Sequence, residues 1–457
     1  MTGALAVWLG DALTALTHPV GSAAAERCSG AELLKVADRV ATTLRAKGAT
    51  PDEPVHLRMG NRPADIGALL GIWRAGAIAV PVHVSAASTT IARLEDLSRA
   101  RFLVNGDRID EIAPTPPPAR PLLAGAALIM FTSGTTGVPK GAVVGHDRMA
   151  AKLKVLDGLL NFRSDDVVLL PLQMTFIFGL WVMLLTLSRG ARLVLVPKFS
   201  PDVMAIGLRD ATVLAAVPSV YRALLLDPPP APMLRMMMTG GEVLPPHLAQ
   251  AMTKFSSAGI FDLYGLTETG TCDFCLAPPD APHGFGSIGR ATPQVEYRIA
   301  PNGELQIKSP FGMLGFLDAR ELTAASFADG YYRTGDLARE MPDGFVQLIG
   351  RAKEIISRGG TKIAPLEIDN LIAEHPAVAA ALCAGVPDER LGEVVHAAIV
   401  RRDGASVDAV ELREWLLKRT ERYKVPEAFY FVDALPVGGT GKGDRRAVTA
   451  MAAKAAD

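Results

Sequence analysis

At 457 residues, 49% of them apolar and 21% charged, the chain is long enough for about two to four domains and apolar enough to bury a sizeable core, which excludes disorder as its main theme. Lysine and arginine (47) nearly cancel aspartate and glutamate (48), so no bulk charge draws it to nucleic acid or to an anionic membrane surface. Four cysteines (Cys28, Cys272, Cys275, Cys383) are too few for a disulfide scaffold, and the amino-terminal "MTGALAVWLGDALTAL" has no basic stretch before its apolar run. A reducing cytoplasm is the expected location.

Helical patterns "AELLKVADRVATTLRAKG" and "ADIGALLGIWRAGA" alternate with short apolar runs "PVHLRM" and "AIAVPV", and the alternation continues with "RLVLVP" and "VLAAVP". It predicts an α/β protein with largely parallel sheets flanked by helices. The Pro-rich stretches 113–121 and 227–233 read as stiff connectors. Residues 167–188 carry no charge over 22 positions, enough to span a bilayer, but Pro171, Gln173 and Thr175 divide them into a buried strand, a loop and an apolar helix ending near Gly190. No membrane span is expected.

Between "AALIMF" and "AVV" lies "TSGTTGVPKG", a Gly- and hydroxyl-rich loop with one lysine that joins two strands. It is not a Walker A loop: counted from Gly134, Pro139 holds the place of the second glycine, and Gly141 follows Lys140 where a Ser or Thr should stand. Its donors suit a polyphosphate, although on composition a plain hairpin tip serves equally. The Cys272–Cys275 pair has the spacing of half a metal site but no second pair nearby, and reads as small apolar residues near a pocket. From residue 351 the pattern changes to a basic Gly-containing turn, "RAKEIISRGGTKI", then a helix, two strands and a further helix, as expected of a small α+β domain closed by a second Gly and Lys loop, "LPVGGTGKGDRR". The expected boundaries are 1–350 and 351–457.

Six motifs in order, "FTSGTTGVPKG", "TGGEVLP", "DLYGLTETG", "YYRTGDLA", "GRAKEIISRGGTKIAPLEID" and "GGTGKGDRR", closely resemble the adenylate-forming superfamily of acyl-CoA synthetases, peptide-synthetase adenylation domains and luciferases, over roughly residues 30 to 450. The resemblance implies a large N-terminal domain and a small, mobile C-terminal one. It also implies a two-step reaction in which ATP and a carboxylic acid give an acyl-adenylate and pyrophosphate, and the acyl group then passes to a thiol. Thr132, Ser133, Gly134, Thr135, Thr136, Gly137 and Lys140 would embrace the β- and γ-phosphates. Thr267 would contact the α-phosphate and Glu268 hold Mg2+. Gly240, Gly241, Glu242, Tyr264 and Gly265 would form the adenine slot, with Asp262, where relatives often carry Asn, at the adenine amino group. Asp336 would accept both ribose hydroxyls, Arg351 would complete the ATP site, and Lys442 would offset charge between the acid and the α-phosphate.

By the same resemblance Lys353 is the hinge, and Arg358, Gly359 and Gly360 line a tunnel for a pantetheine thiol. The acyl pocket falls on Phe176, Phe178, Trp181, Ala216, Ser219, Met238, Thr239, Gly265 and Leu266, a mainly apolar set suited to an aromatic or medium-length aliphatic acid. Coenzyme A is the expected acceptor, and a carrier protein's phosphopantetheine arm the alternative. A nucleotide-binding regulator without catalysis is the third reading, against which the retained Lys140, Glu268, Asp336, Arg351 and Lys442 weigh.

Overall fold

A computed structural model describes residues 3–22, 26–132, 139–437 and 443–456. Most of the large domain is organised by two mixed sheets. The seven-stranded sheet runs in the order Gly315–Phe316, Lys140–Gly145, Ala126–Thr132, Ile78–His83, Pro54–Met59, Phe102–Asn105, Arg108–Glu111, parallel in its middle four strands and antiparallel at both edges. In the nine-stranded sheet, Gly259–Tyr264, Met236–Gly240, Val213–Ala215, Val167–Leu170, Arg192–Leu195 and Val20–Ser22 form a parallel series with antiparallel strands beyond each end. Their near-continuous Val, Leu and Met runs are what a sheet covered on both faces requires.

Helices cover these faces at close range. Gly30–Ala46 starts at a capping box in which the Ser29 hydroxyl accepts from the Glu32 amide at 3.3 Å while the Glu32 carboxylate accepts from the Ser29 amide at 2.8 Å. Its buried Leu33, Ala37, Val40 and Leu44 pack on Pro63–Arg74, where a Cβ at Gly71 would lie 2.6 Å from the Val40 Cβ. The apolar stretch at 167–188 resolves into the strand Val167–Leu170 and the core helix Ile177–Ser188, followed by Gly190 at φ +68°. Among the described residues no helix is long and apolar enough to cross a membrane.

Asn61, fully buried and itself left-handed at φ +56°, stitches the two sheets together. Its amide donates to the Leu172 carbonyl at 2.7 Å, and its carbonyl accepts from the Met174 amide at 2.9 Å. A third, wholly antiparallel sheet (Glu296–Ile299, Glu304–Lys308, Tyr331–Glu340, Phe327–Ala328, with Val346–Arg351 on Tyr331–Glu340) was not expected from the alternating pattern, which is blind to strands joined by short turns.

The carboxyl-terminal part has its own sheet, Thr361–Ile363, Ile356–Arg358, Gly392–Arg401 and Val378–Asp388, with Ala428–Phe431 parallel to Gly392–Arg401. Ile356, Ile363, Ile368, Ile372, Val395 and Leu412 form a core separate from those of the large domain. The expected basic turn is in fact a short 3-10 turn, Ala352–Glu354, and a hairpin whose tip, Gly359 at φ +54° and Gly360 at +85°, needs two successive left-handed residues.

Candidate active site

The ends of strands from three sheets of the large domain converge. Thr132 and Lys140 face each other as a rung of the antiparallel pair Ala126–Thr132 and Lys140–Gly145. The expected phosphate ligands Ser133, Gly134, Thr135, Thr136 and Gly137 lie outside the described residues. The Thr132 hydroxyl is 3.5 Å from Oε1 of Glu268, which sits on the 3-10 turn Thr267–Thr269 after the strand Gly259–Tyr264. Burial raises the Glu268 carboxyl above its ordinary range, while the Thr132 hydroxyl and the nearby Lys140 and Arg351 charges act against that shift. A carboxylate in that setting is stabilised by an added cation. No cluster of three or more His, Cys, Asp or Glu side chains occurs among the described residues. A hard divalent ion here would therefore rest on Glu268 and on oxygens of the substrate, the arrangement magnesium favours over an all-protein cage.

Across the cleft, Asp336 is nearly buried and held at both carboxylate oxygens. The Tyr264 hydroxyl donates to Oδ2 at 2.7 Å, and Arg351 Nε pairs with Oδ1 at 2.9 Å from the neighbouring antiparallel strand. Burial, and then Asp336, push the Tyr264 phenol well above its ordinary pKa, so it remains a donor. Gly240 ends the strand Met236–Gly240 so close to its neighbour that a Cβ would lie 2.4 Å from the Leu263 carbonyl oxygen. Beside it, Gly241 is left-handed at φ +81°, and Glu242 accepts from the Ser219 hydroxyl at 2.9 Å. Gly265 abuts the Cys272 amide, where a Cβ would stand 2.3 Å away. Asp262 is buried and its carboxyl is pushed up to about 8 by burial.

The expected acyl-pocket residues fall in three packing clusters. Phe178 stacks on Trp181 at 5.3 Å, and both belong with Met238 to the main core cluster. Fully buried Ala216 packs on the other face of the sheet with Tyr221, and Leu266 packs with Phe274. Phe176, the residue before the helix Ile177–Ser188, is 49% exposed. The Trp181 Nε1 and Thr239 Oγ1 atoms are buried without a hydrogen-bond partner.

In the small domain Lys353 is exposed on its 3-10 turn, and Gly359 and Gly360 form an exposed hairpin tip. Arg358 pairs with Glu427 and donates to the Tyr423 carbonyl at 2.7 Å. Lys442 lies outside the described residues. Close after it in sequence, Arg445 pairs with Asp369 at 2.7 Å and Glu354 at 2.9 Å and donates to the Cys383 carbonyl at 2.6 Å. Two buried charged groups near these motifs escaped the sequence reading, Lys152 and the Asp369 that pairs with Arg445, while Asp273, which the sequence offers only as a carboxylate for a substrate amino group, is buried as a neighbour of Lys152. A lysine on an amphipathic helix normally reads as solvated, and only an i,i+4 count placing Lys152 in line with buried Met149, Leu153 and Leu156 could have singled it out. The Cys272 and Cys275 thiols are buried and raised, Cys272 to about 12, burial being the first cause in both.

The model of the AMP-binding enzyme family matches residues 12–119 and 107–317, and that of the AMP-binding enzyme C-terminal domain matches 367–442. A feruloyl-CoA synthase of Amycolatopsis sp is 31% identical over 90% of this chain and 91% of its own length. An indoleacetate–CoA ligase of Aromatoleum aromaticum is 34% identical over 69% of this chain and 65% of its own. Among solved structures, ATP-bound MatB from Rhodopseudomonas palustris superposes with a TM-score of 0.87 at 26% identity, covering 99% of each chain. With the convergent strand ends and the held Asp336, these likenesses establish that the chain belongs to the AMP-binding enzyme family, the adenylate-forming superfamily, among its acid–CoA ligases.

Proposed function

We propose that the protein activates an aromatic or medium-length aliphatic carboxylic acid with ATP and passes the acyl group to coenzyme A. The observation that carries this reading is the juxtaposition of two contact groups, Thr132 with Glu268 and Tyr264 and Arg351 with Asp336, the Arg351 charge acting on Glu268 as well. In the first half-reaction a carboxylate oxygen attacks the α-phosphorus of ATP, the bond to the bridging oxygen breaks, and pyrophosphate leaves. In the second a thiol attacks the carbonyl carbon of the acyl-adenylate, the carbonyl–phosphate bond breaks, and AMP leaves as the thiol proton is lost to solvent or base.

Both steps bring anions together, so the protein's task is positioning and charge neutralisation rather than nucleophilic attack. Asp336, its two oxygens fixed by Tyr264 and Arg351, is preset to accept the ribose hydroxyls. Gly240 and Gly241 present flat backbone to one face of the adenine, with Tyr264 on the other and Asp262 at its amino group. Thr132, Lys140 and Thr267 hold the phosphates, together with Ser133, Gly134, Thr135, Thr136 and Gly137. Glu268 is the residue that would hold magnesium, which supplies charge neutralisation when bound. Lys442, from the 351–457 domain, steadies the reacting carboxylate and α-phosphate. Rotation of that domain about Lys353 would bring Arg358, Gly359 and Gly360 to the thiol arm for the second step. Phe176, Phe178, Met238 and Leu266 supply apolar contacts for the acid, and two relatives named for aromatic acids support that class. A reducing cytoplasm, where ATP and coenzyme A are plentiful, suits four free cysteines.

The test is a mass-spectrometric assay with ATP and magnesium over pooled carboxylic acids, with and without coenzyme A. An acyl-CoA formed only when coenzyme A is present, and only from aryl or medium-chain acids, supports the reading. Accumulated acyl-adenylate without acyl-CoA would favour a carrier protein as acceptor, and no product from any acid would favour a regulator.

A further inference from the structure

Directly after the turn that carries Thr267 and Glu268, the backbone runs through three successive left-handed residues: Gly270 at φ +95°, Thr271 at +66° and Cys272 at +45°. Glycine fits such a conformation, but a β-branched threonine there is a steric outlier that persists only where its surroundings hold it. Three contacts do so. The Thr271 amide donates to the Leu266 carbonyl at 2.8 Å, and the Thr269 hydroxyl donates to Asp273. From a different element, the helix His146–Leu160, Lys152 donates its Nζ to the Cys272 carbonyl at 2.8 Å and to the Thr292 hydroxyl oxygen at 3.1 Å.

Lys152 and Asp273 are both wholly buried, and Oδ1 of Asp273 has no hydrogen-bond partner. The ammonium also lies 5.1 Å from the Phe311 ring centroid, beside the segment that Gly270 abuts: a Cβ at Gly270 would stand 2.5 Å from the Phe311 carbonyl oxygen. A buried ammonium is costly and adds little as packing, because an apolar side chain of equal length would fill the same space at no desolvation cost. Its geometry gives it a more specific task, since its two polar partners are the carbonyl that closes the left-handed run and the hydroxyl of Thr292, which itself donates to that carbonyl at 2.9 Å.

We propose that Lys152 is a positioning residue: by gripping the Cys272 carbonyl it locks the left-handed run 270–272 and so fixes the direction in which Thr267 presents its hydroxyl to the α-phosphate and Glu268 its carboxylate to the magnesium ion that would accompany the nucleotide. This inference rests on the reading of Thr267 and Glu268 given above. Lys152 touches no reacting atom. Its effect is confined to the phosphate end of the cleft, because the ribose end is held independently by the Tyr264–Asp336–Arg351 contacts.

The experiment compares full-length wild type with Lys152→Met, which keeps the length and loses the donors, and Lys152→Gln, which keeps a donor without the charge. Calorimetry measures binding of adenosine without magnesium and of a non-hydrolysable ATP analogue with magnesium, and pyrophosphate release is followed across a magnesium titration. The expected result for Lys152→Met is analogue binding weakened roughly tenfold or more and a magnesium midpoint moved upward, with adenosine affinity and melting temperature close to wild type and recovery in Lys152→Gln. Wild-type binding and magnesium dependence in Lys152→Met would overturn the proposal, as would equal loss of adenosine and analogue binding, the mark of a merely structural role. Glu268→Gln is the control on the underlying reading. If it leaves the magnesium midpoint unmoved, the assignment of the turn falls and the inference with it, whereas a shifted midpoint beside a wild-type Lys152→Met overturns the inference alone.

Discussion

The ribose end of the cleft and the Gly-rich hairpin of the small domain are both built around an ion-paired arginine, and they use it in opposite ways. Arg351 grips Asp336, the group proposed to meet the ligand, and with Tyr264 fixes both of its oxygens before any nucleotide arrives. Arg358 turns inward to Glu427 and the Tyr423 carbonyl of its own domain, leaving Gly359 and Gly360 exposed at the tip. A receptor that must select one ligand gains from preorganisation, because the entropy of ordering is spent in folding rather than at binding. A surface that serves only after a movement needs a rigid body behind a bare backbone tip.

The sharpest break of this contrast is Lys442→Ala. Acyl-adenylate formation should fall by roughly 100- to 1000-fold, as for loss of one preorganised charge at a transition state, while thioester formation from supplied acyl-adenylate is largely spared. Equal loss in both half-reactions, measured by pyrophosphate and acyl-CoA release, removes the assignment. Lys353→Pro attacks the movement instead. Proline fixes φ and restricts the preceding residue, so thioester formation should slow about tenfold or more with adenylation near wild type. An unchanged thioester rate in single-turnover experiments speaks against a hinge there.

Tyr264→Phe probes preorganisation on the other side. It keeps the ring proposed to flank the adenine and removes one hydrogen bond to a carboxylate, so the KM for ATP should rise roughly tenfold with kcat little changed. A fall in kcat alone would show that Tyr264 acts in the transition state.

The last effect is on stability rather than rate and concerns Asp262. Folding raises its pKa to about 8, whereas an unfolded aspartate titrates near about 3.9. Across that window the folded state binds the extra proton, so the contribution of Asp262 to stability is fullest below the unfolded pKa and declines as pH rises through the folded one. Asp262→Asn has no such proton, and its stability relative to wild type should improve steadily from about pH 5 to pH 8 in denaturant melts. A constant difference across that range would mean that Asp262 is ionised in the folded protein.

Much of this was legible from residue order. The strand "PVHLRM" is Pro54–Met59 to the residue, because an apolar run bounded by Pro and Gly leaves little choice, and the loop between "AALIMF" and "AVV" does join antiparallel neighbours. The ordered motifs also single out Tyr264, Asp336 and Arg351, which the structure places in contact with one another. The acyl pocket was less legible, since periodicity says which residues are apolar but not which face of a covered sheet they take, and Ala216 and Met238 lie on opposite faces. Lys152 was invisible for a related reason: its role depends on the Cys272 carbonyl, 120 positions away, and a backbone atom leaves no trace in side-chain pattern.

The bridge made by Asn61 bears on how the acid-selecting region could change. Because its side-chain amide ties Leu172 and Met174, just past the end of a strand in one sheet, to the end of a strand in the other, opening the first part of the loop 171–176 requires breaking that joint. The Phe176 side chain, two residues past that anchor, is half exposed. Hydrogen exchange should therefore divide this loop, with the Met174 amide retaining deuterium long after exposed amides have lost it. A library confined to Phe176 would then vary a residue proposed to contact the acid while leaving the joint between the sheets, and the fold that depends on it, untouched.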